Sequence, residues 1–139
     1  MKGFCMKEIG CREGVKLTFV RPGKTKGNTQ GRYVGRTDEP LWPETVTELA
    51  RMQIPRAELV IVSPMLRCRQ TAAILYPGQE AHVQEGMQEM DFGEFEYRNY
   101  QELSGNPDYQ AYIDSGGRIG FPKGEGLLEF QSRCCQAFF

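Results

Sequence analysis

The sequence predicts an α/β domain with a mainly parallel sheet flanked by helices. Three observations carry this expectation. Residues 15–20 (VKLTFV) and 59–62 (LVIV) are short β-branched and apolar runs, as strands inside a parallel sheet are. A helix-competent stretch separates them and another follows the second, and strand–helix alternation is the signature of such a sheet. A third, shorter run around His82 and Val83 extends the alternation by one strand.

Taken in order, residues 1–14 mix Lys2, Lys7, Glu8, Arg12 and Glu13 with scattered apolar side chains. They lack the apolar stretch of a signal peptide. Their composition is that of an N-terminal extension, a leader or disordered tail, which leaves residues 15–139 as the domain. The first strand runs straight into Arg21-Pro22-Gly23, a strong chain punctuator. Residues 23–41 hold five glycines or prolines among polar residues, so they form a long ordered loop, a feature often tied to function. Residues 43–53 read as a helix with Pro43 in its first turn and Val46, Leu49 and Ala50 facing inward. After the second strand, Ser63-Pro64 opens a helix over residues 65–75. Residues 101–104 and 107–114 read as short helices. Residues 127–139 read as a longer one with Leu127, Leu128, Phe130 and Cys134 on one side. No repeat or interdomain linker breaks the chain.

The bulk numbers narrow the function classes. At 139 residues the chain can bury one real core. Its net charge of −1 gives no general attraction to nucleic acid or an anionic membrane, so any anion site must be local. No apolar run approaches the roughly 20 residues of a membrane span. Five cysteines (Cys5, Cys11, Cys68, Cys134, Cys135) include no CxxC pair, and His82 is the single histidine. That pattern reads as reduced thiols in a cytoplasmic protein, with no metal site.

Two loops follow the strands, and in open α/β sheets ligands bind beyond the carboxyl ends of the strands. Arg21 ends the first strand, and Arg67 lies one turn into the helix after Ser63. Two guanidinium forks converging near free helix N–H groups make a phosphate cradle; two surface arginines are the plain alternative. Glu89 and Asp91, in QEMDFG, put carboxylates over such a pocket, where one could serve as a general acid; a solvated acidic loop is the alternative. Other chemistries fail on spacing. Gly23-Lys24-Thr25 lacks the P-loop's first glycine, since Thr18 stands there. No cysteine has an arginine six residues on, and no serine sits in a G-x-S-x-G elbow.

Four motifs in order resemble the histidine phosphatase (phosphoglycerate-mutase-like) superfamily. LTFVRPGKTKGNTQGRYVGRTDEPL, residues 17–41, resembles its first signature, where Arg-His-Gly ends strand one. VSPMLRCRQTA, residues 62–72, is similar to the second. MQEMDFGEFE, residues 87–96, resembles the acidic loop, and FPKGE, residues 121–125, the segment before the next long helix. The details are nearest the bacterial α-ribazole-phosphatase-like branch. The resemblance implies a three-layer phosphoglycerate-mutase-like fold, phosphomonoester hydrolysis through a phosphohistidine, no cofactor, and phosphate or a phosphorylated small molecule as ligand. By position it implies that Arg21, Gly23 and Arg67 bind phosphate, that Asn28 and Gly35 belong to the substrate loop, and that Glu89 is the general acid.

The departures from the family pattern are pronounced. Pro22 stands where the nucleophilic histidine belongs, and proline offers neither a nucleophile nor a backbone N–H. Tyr97 and Thr45 stand where glycines are usual. The chain also stops short of the family's second histidine and of the strand that carries it. The expectation is an incomplete fold, open at a sheet edge and prone to self-association. Three readings follow: a phosphatase-family chain that is inactive or strongly impaired, an anion-binding pseudophosphatase, or a fragment without a function of its own.

Overall fold

The computed structural model describes residues 6–10 and 14–138. Cys5, Cys11, Arg12, Glu13 and Phe139 lie outside the described residues, as do the first four positions. Strands β1 (Met6–Gly10), β2 (Lys16–Val20), β3 (Val60–Val62) and β4 (Ala81–Val83) alternate with helices α1 (Lys26–Thr29), α2 (Pro43–Ala50), α3 (Leu66–Leu75), α4 (Pro107–Asp114) and α5 (Leu127–Phe138). The α/β class holds, and the third short strand lies where the sequence puts it.

The sheet is divided. β3 and β4 pair in parallel with Ile61 opposite His82, while β2 pairs antiparallel with β1, from Met6 opposite Val20 to Gly10 opposite Lys16. Among the described residues parallel pairing is therefore confined to β3–β4, and the two ladders share no strand. Residues 6–10, expected to be extension or disordered tail, contain a strand because β2 offers them a backbone edge to pair with. Polar composition does not forbid that pairing, since a ladder is made by main-chain groups.

Both ladders lie on the same helical layer. Val20 packs with Leu41, Leu49 and Leu75, and Ile74 joins the same cluster, while Val60 and Val62 are buried. In α2 the inward residues are Thr45 and Leu49, four apart and so on one face. Val46 and Ala50, expected inside, are exposed. Two interleaved i, i+4 stripes compete on this helix. The Thr45 methyl wins because it lies under Gly23, close to where a Cβ at that position would be.

A second cluster is aromatic: Phe95, Leu103 and Phe121 are buried, with Tyr33, Phe92, Tyr109 and Tyr112 around them. α4 brings two of these tyrosines, and it starts as its sequence dictates. Pro107 occupies the first turn, and the Asn106 side chain accepts from the N–H groups of Asp108 and Tyr109. Residues 101–104, expected as a helix, are turns closed by Ser104 N–H donating to Gln101 and Asn106 N–H to Leu103. In α5 the inner side is Phe130, Arg133, Cys134 and Ala137, and no residue of the helix is fully buried. Leu127 and Leu128, expected on one side with Phe130 and Cys134, are exposed and do not share their half-buried face. Gly86 decides this, because it lets the Ala137 methyl approach closely and so sets the helix's rotation. Among the described residues no helix is long and apolar enough to cross a membrane.

Candidate phosphate-binding pocket

A pocket of about 230 Å³ opens where the loop after β2 meets α3 and the 85–92 segment. Arg21, Pro22, Gly23, Asn28, Arg67 and Glu89 line it together with Arg32, Tyr33, Val34 and Phe92. Six of the seven positions that the resemblance singles out are thus brought together from three separate segments. Gly35, the seventh, is not in the lining. It sits where the loop crosses Met90, Phe92 and Glu96 too closely for a side chain. Asp91, the other carboxylate of the acidic loop, is also outside the lining and accepts from Gly93 N–H at 2.9 Å.

The loop is placed by hydrogen bonds from side chains to backbone. Gly23 N–H donates to Thr71 Oγ1 at 3.0 Å, and that hydroxyl donates to the Arg67 carbonyl at 2.7 Å. The first loop is thereby pinned to α3. The Glu39 carboxylate accepts from Gly27 N–H at 3.0 and 3.1 Å and from the hydroxyls of Thr25 and Tyr97. Glu96 Oε1 accepts from Gly35 N–H, Thr37 N–H and Thr37 Oγ1, each within 2.9 Å. Thr25 and Asn28 close a capping box on α1; the Asn28 carbonyl is used there, and its NH₂ group stays available at the pocket wall.

The two arginines differ in their support. Arg67 is only 5% exposed, and its guanidinium donates to the carbonyls of Val34, Gly35 and Thr37 at 3.0–3.4 Å. These bonds take three of five N–H donors, and none goes to a carboxylate. Arg21 is exposed and has no hydrogen bond or ion pair among the described residues. Arg32, which the sequence did not single out, forms a two-pronged ion pair with Glu102 at 2.8 and 2.9 Å. Its charge is answered, so it shapes the wall. The free N–H groups expected at the start of α3 are partly spent, because Leu66 N–H donates to Asp38 at 2.7 Å.

Glu89 is exposed at the rim, with one carboxylate oxygen accepting from Met90 N–H. Its segment is held from α5. Arg133 donates to both oxygens of Glu125 at 2.8 and 2.9 Å and to the carbonyls of Gly86, Gln88 and Glu89. The Arg133 bonds depress the Glu125 carboxyl below the ordinary glutamate value. Burial, followed by the Tyr109 hydroxyl, pushes the Tyr33 phenol up, and its O–H is engaged with Tyr109 at 3.3 Å. Burial likewise raises the Cys68 thiol, which keeps it a poor nucleophile. Nothing in local sequence periodicity marks Arg32, Tyr33 or Arg133 as part of this site. Their spacing to the pocket exists only after folding. His82 lies exposed on β4, outside the lining. Among the described residues no group of three or more His, Cys, Asp or Glu side chains is placed to hold a metal.

The same arrangement of strands, helices and loops recurs in known proteins. The sequence profile of the histidine phosphatase superfamily (branch 1) matches residues 17–138. The adenosylcobalamin/alpha-ribazole phosphatase of Escherichia coli (strain K12) is 25% identical over 127 residues, which make up 86% of this chain and 63% of that protein. The alpha-ribazole phosphatase structure from Shigella flexneri superposes with a TM-score of 0.74 at 23% identity, over 84% of this chain and 61% of the other. The phosphoglycerate mutase structure from Thermus thermophilus superposes with a TM-score of 0.69 at 28% identity, over 85% and 67%. The chain spans about six-tenths of the length of the curated relatives it matches.

Proposed function

The chain belongs to the histidine phosphatase superfamily, and from that premise we propose that its pocket binds phosphate, or the phosphoryl group of a small phosphorylated molecule, without turning it over. The lineage activity is phosphomonoester hydrolysis, and this chain is inactive or strongly impaired in it.

One observation carries the binding half. Among the described residues Arg67 is buried, bonded only to carbonyls and in no ion pair, and Arg21, without a hydrogen bond or ion pair there, lines the same pocket. A buried cation without an anionic partner is costly, and an anion in the pocket supplies one. The Asn28 NH₂ adds a neutral donor at the pocket wall. Pro22 carries the other half. It lines the pocket between Arg21 and Gly23, where the family resemblance puts the attacking histidine, and it has no group that could accept a phosphoryl. The ligand is small and soluble, bound in the cytoplasm, and no cofactor takes part. The competing reading, a folded fragment with no ligand, predicts an empty pocket at every phosphate concentration.

Calorimetric titration with inorganic phosphate and with vanadate tests the binding, together with hydrolysis of an aryl phosphate. Saturable binding, with Kd about 1 mM or tighter (roughly 4 kcal/mol or more), and no hydrolysis above background are expected. Turnover near that of ordinary enzymes, about 1–10³ s⁻¹, overturns the second half; no heat at any phosphate concentration overturns the first. Pro22→His then reports whether the nucleophile alone is wanting.

A further inference from the structure

Tyr97 is not part of the pocket lining, and it holds a conformation that its residue type disfavours. Its φ of 60° lies in the left-handed region, where a Cβ crowds the backbone and a glycine sits without strain. A bulky residue persists there only where its surroundings over-determine it, and such positions cluster at functional sites. The contacts of Tyr97 run to one wall of the phosphate pocket.

That wall is built from residues 27–34. Tyr97 N–H donates to the Tyr33 carbonyl at 2.8 Å, and Tyr33 N–H donates to the Arg98 carbonyl at 3.0 Å. The Arg32 guanidinium donates to the Tyr97 carbonyl at 2.6 Å and lies over the Tyr97 ring, 5.2 Å from its centroid. The ring also meets Gly27. A Cβ on Gly27 would stand 2.9 Å from Tyr97 Cε2 and 2.5 Å from Glu39 Oε1, so the α1 backbone lies close against both the ring and the carboxylate. Glu39 accepts from Gly27 N–H at 3.0 and 3.1 Å and from the Tyr97 hydroxyl at 3.4 Å. Burial, then the Glu39 charge, raises the Tyr97 phenol, so the hydroxyl is the donor in that pair. Asn28 follows Gly27. Its carbonyl is fixed by Thr25 N–H at 3.0 Å, which leaves its NH₂ group for the pocket it lines.

We propose that the Tyr97 ring is a positioning element for the pocket: it backs the α1 turn against Glu39 and so sets the Asn28 NH₂ where it can donate to a bound anion. The inference rests on the phosphate reading of the pocket. One residue separates the contact at Gly27 from the donor at Asn28, so a displacement of the turn passes directly to that donor. Hydrogen bonds weaken steeply with misalignment, and the space left by a missing ring is large enough for the turn to shift. A glycine at position 97 would relax the backbone while leaving that space open. Removing the ring should therefore separate affinity from stability.

The test is calorimetric titration of the full chain with inorganic phosphate, paired with urea unfolding and with the Asn28 side-chain amide signals in heteronuclear NMR spectra. Tyr97→Gly should bind phosphate about 10-fold more weakly, the worth of one hydrogen bond to a charged ligand. Its unfolding midpoint should stay near the parent's, because the φ strain is relieved. Its Asn28 amide should no longer shift at phosphate levels that saturate the parent. Tyr97→Phe keeps the ring on Gly27 and should recover affinity to within about 3-fold of the parent. Equal affinity in Tyr97→Gly and the parent overturns the inference, and so does a Tyr97→Phe as weak as Tyr97→Gly. Should the stability of Tyr97→Gly fall as far as its affinity, the unaltered chain decides: the Tyr97 ring signals and the Asn28 amide must shift with one phosphate midpoint, and a ring indifferent to phosphate rejects the inference. A parent that binds no phosphate sinks the pocket reading alone. The seating of α1 by the ring is then judged by hydrogen exchange at Gly27 N–H, which must quicken about 10-fold in Tyr97→Gly and stay slow in Tyr97→Phe; equal rates in all three reject it.

Discussion

Phe95 and Phe19 are the same residue in two regions with opposite fates. Phe95 is 1% exposed, between Tyr109, Phe121 and Tyr112, at ring centroid distances of 5.5, 5.8 and 6.3 Å. Phe19 lies in regular strand and is half open to solvent. The aromatic lobe is mostly turns, short helices and irregular chain, yet it is closed and heavily bonded. Among the described residues the sheet is regular, yet divided into two two-stranded ladders. In this molecule the well-determined part is therefore not the part with most regular structure. Carboxylates and guanidinium groups bonded to backbone do for the lobe and the pocket what neighbouring strands do in a full sheet, since either route satisfies buried main-chain groups.

The contrast can be broken most directly by truncating both phenylalanines. Phe95→Ala should lower unfolding free energy by about 3–5 kcal/mol, and Phe19→Ala by about 1 kcal/mol or less for the single chain, measured by urea unfolding at low protein concentration. Equal losses would show that the two regions are not distinct in packing. Next in size is Arg67→Ala. It removes the donors to Val34, Gly35 and Thr37, leaving carbonyls unmet at about 1–3 kcal/mol for a buried group. A loss of about 3 kcal/mol together with loss of phosphate binding is expected in paired melting and calorimetric measurements.

Arg133→Ala should cost about 2 kcal/mol through its hydrogen bonds to Glu125 and the 86–89 carbonyls, and it adds a pH signature. Glu125 has a depressed folded value because Arg133 bonds its charged form. Its contribution is therefore complete above the ordinary value of 4.5 and is lost as pH falls through the lower folded value. The parent should lose stability between neutral pH and strongly acidic solution more steeply than the variant, and parallel curves would remove Glu125 from the account. The smallest effect on folding is expected for Arg21→Ala: within about 0.5 kcal/mol, because the side chain is exposed and unpaired. Its phosphate affinity should still fall about 10-fold. A stability loss like that of Arg67→Ala would show that Arg21 shares the same bracing role.

Much of the pocket was legible in the sequence because its residues sit at strand ends and helix starts, and those places are set by local pattern. Arg21, Pro22 and Gly23 follow a strand, and Arg67 follows Ser63-Pro64; once both strands lie on one helical layer, the loops must meet. Arg32, Tyr33 and Arg133 were not legible, because each acts on a partner far along the chain: Glu102, Tyr109 and Glu125 with Gly86. Tyr97 shows the same limit. The family resemblance puts a glycine at its position, and the structure gives Tyr97 a φ of 60°. That conformation costs roughly 1 kcal/mol or more for a bulky side chain. Its hydroxyl on Glu39 and its ring beneath Arg32 hold it there.

By itself, then, the sequence determined the α/β class, the order of its main strands and helices, and the family. These are properties of residue type and local period, which act over a few positions. Only the tertiary structure decided that β1 would pair with β2, that Thr45 rather than Val46 would face inward, that Leu127 and Leu128 would stay outside, and that the described strands would form two separate ladders. Each of those depends on which surface is left for a segment to pack against, a quantity that exists only when distant parts of the chain have met.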